Sequence, residues 1–367
     1  MSMESEQDYL ILKELNDNVD YVTDSFREFS SNSNKSLLLH GDCLNLLKAI
    51  PDESIDCVIT SPPYWSQREY DETGIGLETT LEEYLNQLEI VFFEVKRVLK
   101  TSGSLWLNLG DTYQNKNLLG VPWRLAFRLI DNQNWILRNS IIWDKIKGGL
   151  NSSTDRLANI HENIFHFVKD AKKYYYDDEK IRSEPRQAKV IDGKVVSATG
   201  VTGVSYKRKI ELSTTLSEDE KKNALEALNK VLDEIKNHKI SDFRMVIRGS
   251  NRATHSNSEK LSGRARELQN KGFYFLKYSP KGSKPTDIWS ILPEDSQRRK
   301  LHFAPYPLDL CTIPILTTCP PKGIILDPFC GTGTTLLAAK MHNRKSVGID
   351  ISLKYINLSY DRLTEKQ

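Results

Sequence analysis

A rhythm that stops and then restarts sets what this chain can fold into. From Ser36 to about residue 170, short apolar runs alternate with amphipathic stretches. SLLLH, SIDCVIT, SLWLNLG and WILRNSIIWDK read as strands, with Gly103 opening the third. CLNLLKAI, residues 80–100 and VPWRLAFRLIDNQN read as helices, the long one N-capped by Thr79 or Thr80. After residue 300 the rhythm returns in GIILDPFCGTGTTLLAAKMHNRKSVGIDIS, which reads strand, glycine-rich turn, helix, strand. Alternation of this kind predicts an α/β fold, a mostly parallel sheet with helices on both faces.

Between the two halves, residues 171–283 are polar, basic in places and irregular. One helix stands out there, with a capping box at Ser217 and Glu220 and a stripe of Leu225, Leu228, Leu232 and Ile235. Residues 1–35 predict a helical appendage, because Val19, Val22, Phe26 and Phe29 share one helix face before a soft SSNSNK linker. Three parts follow: an N-terminal appendage (1–35), an α/β domain (36–170 with 284–367) and an insertion (171–283).

With 39% hydrophobic residues, the 367-residue chain can bury a sizeable core. Its net charge of +2 neither demands nor excludes nucleic acid, so any basic footprint must be local. The start lacks a signal-peptide pattern, and no apolar run nears the roughly 20 residues of a membrane span. Cys43, Cys57, Cys311, Cys319 and Cys330 form no CxxC pair, which predicts reduced thiols and no metal site. A cytoplasmic protein with no membrane partner is expected.

Two stretches carry chemistry. In GIILDPFCGTGTT the strand ends at Asp327, and Gly331 and Gly333 permit a tight turn and a close backbone approach. The following helix presents its first N–H groups there. Asp350, at the end of the next apolar strand, is placed to accept hydrogen bonds from ribose hydroxyls. The dinucleotide fingerprint would need a third glycine, which is missing, so a nucleoside without phosphates fits better than NAD. An ordinary tight turn is the bland alternative.

TSPPYW, residues 60–65, follows the apolar strand SIDCVI and so lies at a carboxyl end, where open α/β sheets place ligands. Pro62 and Pro63 stiffen the backbone, and Ser61 adds a hydroxyl acceptor. Two converging acceptors suit a group with two N–H donors, such as an exocyclic amine. Tyr64 offers a flat face for an extruded base. A proline-capped strand end with a core aromatic is the alternative.

Together these motifs resemble the S-adenosylmethionine-dependent DNA amino-methyltransferases. Their catalytic motif, [D/S/N]-P-P-[Y/F], is matched by Ser61-Pro62-Pro63-Tyr64, and their cofactor motif by Asp327-Pro328-Phe329-Cys330-Gly331-Thr332-Gly333-Thr334-Thr335. GSLWLNLGD, IIWDK and DRLANIHENIFHFVK resemble the family's next segments, and HFAPYP (302–307) its element before the cofactor turn. The motif order, catalytic first and cofactor last, resembles the family's permuted β group, whose intervening segment recognises the target sequence. The resemblance implies a Rossmann-like methyltransferase sheet, with residues 171–283 as target-recognition insertion. It implies S-adenosyl-L-methionine as cofactor, bound by Asp42, His302, Ala304, Pro305, Asp327, Phe329, Gly331, Gly333, Thr334 and Asp350.

The implied substrate is double-stranded DNA and the implied product N4-methylcytosine, since serine in the first motif position is more typical of cytosine-N4 enzymes. Ser61 and the Pro62 carbonyl would hold the amine, and its lone pair would attack the sulfonium methyl in line. A cognate restriction endonuclease acting separately is implied as well. Adenine-N6 methylation is the nearest alternative; a nicotinamide-dependent oxidoreductase and a silent DNA-binding regulator are the others. Residues 241–281 hold nine Lys/Arg against three acids, interleaved with Phe273, Tyr274, Phe275 and Tyr278. Arg244, Arg248, Arg252, Arg264, Arg266 and Lys271 are the candidate DNA contacts. His255 reads as structural.

Overall fold

Successive strand residues face opposite ways, and in this chain both faces of the strands are apolar. The computed structural model describes residues 9–12, 19–32, 35–66, 74–147, 154–249, 263–294 and 306–365. In chain order the elements are β1 (Tyr9–Leu12), α1 (Val19–Ser31), β2 (Ser36–His40), α2 (Cys43–Ala49), β3 (Ile55–Thr60), α3 (Leu81–Val98) and β4 (Leu99–Leu109). Next come the short β5 (Tyr113–Gln114) and β6 (Asn117–Leu118), α4 (Val121–Gln133), β7 (Ile136–Asp144) and β8 (His161–Val168). The middle holds β9 (Lys189–Ile191), β10 (Lys194–Val196), α5 (Gly203–Glu211), α6 (Glu218–Lys236), β11 (Asp242–Ile247), α7 (Gly263–Lys271) and β12 (Phe273–Tyr278). The last are β13 (Ile288–Ser290), α8 (Asp309–Thr318), β14 (Ile324–Asp327), α9 (Thr334–Met341), β15 (Lys345–Asp350) and α10 (Leu353–Thr364).

The chain divides into two units, residues 1–180 with 286–367, and residues 181–285. The first is built on a nine-stranded sheet in the order β1-β2-β15-β14-β3-β4-β8-β7-β13. Only β8 runs against its neighbours; the other pairs are parallel. Leu37, Leu39, Val58, Leu105, Leu107, Leu326 and Val347 point into a core shared with α1 to α4. Their strand neighbours Cys57, Ile59, Trp106 and Ile325 point the other way, into a core with α8 and α9. Leu38 faces α9 and α10. Strands buried on both sides read as continuous apolar runs, as SLLLH and SIDCVIT do.

Local signals explain the boundaries. Thr80 caps α3, with Glu83 completing the capping box. Gly103 lies inside β4 instead of opening it: the β3–β4 register shifts between Ile55 and Cys57, and a Cβ on Gly103 would meet the Asp56 carbonyl at 2.9 Å. The bulge therefore needs glycine. In residues 1–35, α1 buries Val22, Phe26 and Phe29, while Val19 is exposed. Residues 9–12, expected within a helical appendage, instead extend the sheet edge as β1, paired with β2. Among the described residues, no helix is long and apolar enough to cross a membrane.

The second unit has its own core, formed by α5, α6, the β9–β10 hairpin and the β11–β12 pair. Its strands are three to six residues long, too short to show a clear rhythm in the sequence. Ser217 and Glu220 form the capping box of α6. The fully buried line on that helix is Ala224, Leu228, Val231 and Ile235; Leu225 and Leu232 lie on its flank. Phe92, at the centre of the first unit's core, is expected to cost about 3–5 kcal/mol of stability when replaced by Ala, read as a lower midpoint in urea unfolding.

Candidate active site

Because β2, β15, β14, β3 and β4 are parallel, their carboxyl ends open on one edge of the sheet. Asp42, Asp350, Asp327, Ser61 and Gly110 follow or end those strands in turn. The antiparallel β8 starts at the same edge and brings Glu162 there.

The elbow lies between β3 and β4. Ser61 Oγ is 3.4 Å from the Tyr64 hydroxyl and 3.3 Å from Asn108 Nδ2. Tyr64 Oη donates to Glu162 Oε2 at 2.7 Å, and Asn108 Nδ2 donates to the same oxygen at 2.8 Å. Lys145 Nζ sits 2.5 Å from Glu162 Oε1 and over the Trp143 ring. Burial, with the Glu162 charge second, pushes the Tyr64 hydroxyl well above its ordinary range. Tyr84 donates to the Pro63 carbonyl at 2.7 Å, and Trp65 Nε1 to the Glu78 carbonyl at 2.9 Å, so the elbow is braced from α3 and from the following loop. Gly110 makes room for the tyrosine: a Cβ there would lie 2.7 Å from its ring. Asn108 Oδ1 is buried and has no hydrogen-bond partner among the described residues, so it can accept from a donor at the site.

The glycine turn is held from below. Gly331 and Gly333 have φ of +50° and +75°, conformations that glycine adopts at little cost. At Gly333 the close approach is to α10, since a Cβ would meet Ser359 at 2.9 Å. Ser359 Oγ donates to the Gly331 carbonyl at 2.8 Å, and Arg362 reaches the Thr332 carbonyl at 2.6 Å and Thr334 Oγ1 at 3.2 Å. Asp350 accepts from the Gly331 and Ser352 amides at 2.9 and 2.8 Å. Asp42, exposed, caps α2. Phe329 packs partly buried on the core.

Asp327 is fully enclosed. It accepts from Thr60 Oγ1 (2.7 Å), the Phe329 amide (3.1 Å), Thr335 Oγ1 (2.6 Å) and Tyr306 Oη (3.0 Å). Burial raises its pKa against those bonds. Its side chain shapes the turn from behind. His302, Ala304 and Pro305 lie outside the described residues, as do Arg252 and His255.

A nucleoside with a cationic tail fits this edge. Two carboxylates, Asp350 at the end of β15 and Asp42 beyond β2, lie in turn on one side of the glycine turn, and Arg362 braces it through Thr332 and Thr334. That is the wrong charge for a pyrophosphate and a suitable one for ribose hydroxyls and a positive centre. Asn108, Glu162, Lys145, Thr60 and Tyr306 lie within stretches that the family resemblance or the elbow motif already covers, but the sequence does not single them out as site residues. The available signal was polar residues inside apolar strands, as in SLWLNL and HENIFHFV.

In the second unit, Arg244, Arg264, Arg266 and Lys271 are exposed. Arg244 shares the outward face of the β11–β12 pair with Val246, Tyr274 and Leu276. Lys271 pairs with Glu267 at 3.2 Å. Arg248 is bound internally, to Glu220 at 2.6 Å and to the Gln269 carbonyl at 3.0 Å.

Residues 55–361 match the family model described as DNA methylase, with an N6/N4 amino-group scope in its name. The chain is 29% identical over 358 residues to the type II methyltransferase M.XycI of Xanthomonas campestris pv. cyanopsidis, covering 89% of this chain and 87% of that protein. It is 27% identical over 386 residues to M.SmaI of Serratia marcescens, covering 97% and 100%. In fold it is similar to the PvuII DNA methyltransferase (cytosine-N4-specific), with a TM-score of 0.54 and 17% identity over 91% of this chain and 88% of that one.

All five cysteines are buried and unpaired. Burial pushes the Cys57 thiol up to about 12 and holds those of Cys43, Cys311, Cys319 and Cys330 well above the ordinary range. A thiol that is neither ionised nor accessible is a poor nucleophile. A disulfide-exchange reagent at pH 8 is expected to label none of them in minutes in the native protein and all five after unfolding.

Proposed function

Because the chain belongs to the DNA methylase family, we propose that it methylates the exocyclic N4 amine of a cytosine extruded from double-stranded DNA. The type II names of its relatives support a place beside a separate restriction endonuclease. S-adenosyl-L-methionine is the cofactor and supplies a methyl group on a sulfonium sulfur that becomes a neutral thioether as the methyl leaves. Asp350 and Asp42 are suited to hold its ribose and adenine ends, and the Gly331–Gly333 turn its body. His302, Ala304 and Pro305 are proposed for the methionine end.

The observation that carries the reading is Ser61, an acceptor fixed at the strand end between the Asn108 amide and the Tyr64 hydroxyl. The amine of cytosine is a weak nucleophile because its lone pair is delocalised into the ring. Hydrogen bonds from its N–H groups to Ser61 Oγ and the Pro62 carbonyl favour a tetrahedral nitrogen and return the lone pair to it. Pro62 and Pro63 keep those acceptors in place, and such positioning is worth up to about 7–11 kcal/mol. No strong base is needed beforehand; the methylated nitrogen carries the positive charge after transfer and releases one proton to water. Tyr64 supplies the ring on which the base rests. A neutral serine acceptor in the first motif position supports cytosine over adenine.

The insertion at residues 171–283, most of which falls in the second unit (181–285), is proposed to recognise the target sequence. Arg244, Arg264, Arg266 and Lys271, with Arg252, are the candidate phosphate and base contacts. Arg248 contributes by bracing α6 against α7.

Incubation with tritiated cofactor and unmethylated DNA, followed by digestion, is expected to yield labelled N4-methylcytosine. Labelled N6-methyladenine would overturn the choice of base. Ser61→Ala is expected to slow transfer by about 100-fold or more, and Gly110→Ala, which displaces Tyr64, by about 10-fold, in single-turnover assays. Wild-type rates in both would remove these residues from the mechanism.

A further inference from the structure

A carboxylate can only accept hydrogen bonds. The Tyr64 hydroxyl, 2.7 Å from Glu162 Oε2, therefore donates to it. The Tyr64 oxygen is left as an acceptor, and Ser61 Oγ, 3.4 Å away, donates to it. The Ser61 proton is thus turned inward. Asn108 Nδ2 donates one N–H to Glu162, at 2.8 Å, and directs the other between Ser61 Oγ, at 3.3 Å, and the Tyr64 oxygen, at 3.2 Å. The lone pair that remains on Ser61 can only accept from outside.

We infer that Glu162 is the positioning residue that directs the hydrogen bonds behind Ser61, making Ser61 an obligate acceptor for the N–H of the target amine. The inference rests on the methyl-transfer reading above. It gives a reason for a carboxylate that is only 8% exposed and lies beyond the amine-binding motif itself. A hydroxyl can face an amine either way round, and outward donation from Ser61 would oppose the amine's own N–H. The carboxylate removes that option.

Lys145 decides which oxygen does this. Its Nζ, 2.5 Å from Oε1, can only donate. In Glu162→Gln the amide oxygen must therefore stay against Lys145, which turns the NH2 group toward Tyr64. Asn108, whose NH2 faced that oxygen, must turn its own Oδ1 to the Gln NH2; Tyr64 then accepts from Gln, donates to Ser61, and no longer accepts the Ser61 proton. The chain keeps its shape and reverses its direction.

The test is single-turnover methyl transfer, with cofactor and DNA affinities and melting curves measured in parallel. Glu162→Gln is expected to slow the transfer step about 10-fold or more, with both affinities within roughly 3-fold of wild type. Tyr64→Phe keeps the ring and cuts the chain, so its loss should be smaller. The double variant E162Q/Y64F should be faster than E162Q alone and match Y64F, because no hydroxyl remains to carry the reversal. E162Q/K145M should also recover, since its amide is free to turn its oxygen to Tyr64. If E162Q does not fold, E162Q/K145M, which leaves no charge unpaired, is compared with wild type: near-wild-type transfer supports the inference, and transfer as slow as that of Ser61→Ala overturns it. A wild-type rate in E162Q, or a double variant E162Q/Y64F slower than either single one, overturns the inference while leaving the methyl-transfer reading intact. A wild-type protein that labels no DNA overturns both.

Discussion

The hydrogen bond from Thr60 to Asp327 joins the two halves of the chemistry. Thr60 ends β3 immediately before Ser61, and Asp327 ends β14 immediately before the glycine turn. The residues are 267 apart in the chain, yet their strands are parallel neighbours, with Val58 opposite Leu326. Enclosing a carboxylate costs free energy unless it is fully hydrogen-bonded, and Asp327 meets that condition through Thr60, Thr335, Tyr306 and a backbone amide. The elbow and the turn therefore leave adjacent strands in a fixed relation.

Around that clamp, the sheet and its two helical layers do the supporting work. Parallel strands place their carboxyl ends together, so acceptors from β3, β4 and β8 and carboxylates from β2 and β15 meet on one edge. In the polar cluster of Ser61, Tyr64, Asn108, Glu162 and Lys145, Asn108 and Glu162 are buried and the other three are half-buried. In such surroundings a satisfied network is stiff, and each of its bonds is stronger than in water. The partnerless Asn108 Oδ1 marks the side on which the network is incomplete by itself.

The motifs were legible because each has a local cause. Prolines stiffen an elbow, glycines take positive φ, a Thr-x-x-Glu box starts a helix, and a doubly buried strand is a run of apolar residues. The supporting residues were not legible because their roles exist only across strands. Asn108 and Glu162 are 54 positions apart; one looks like a single polar interruption of β4 and the other like part of the polar start of β8, HEN. Gly333 read as room for a ligand, yet its missing Cβ makes room for Ser359 of α10. Arg248 had the same standing in sequence as Arg244, and only its contact with Glu220 separates a brace from an exposed cation.

By itself the sequence determined the α/β class, the two chemical motifs, their order along the chain and the presence of a separate basic segment, because those follow from periodicity and short-range stereochemistry. Tertiary structure decided which motif stands beside which, the reversal of β8, the strand at residues 9–12 and the acid behind the serine. Those depend on strand order, which short-range spacing does not encode, since hydrogen bonds between strands join residues without regard to their distance along the chain.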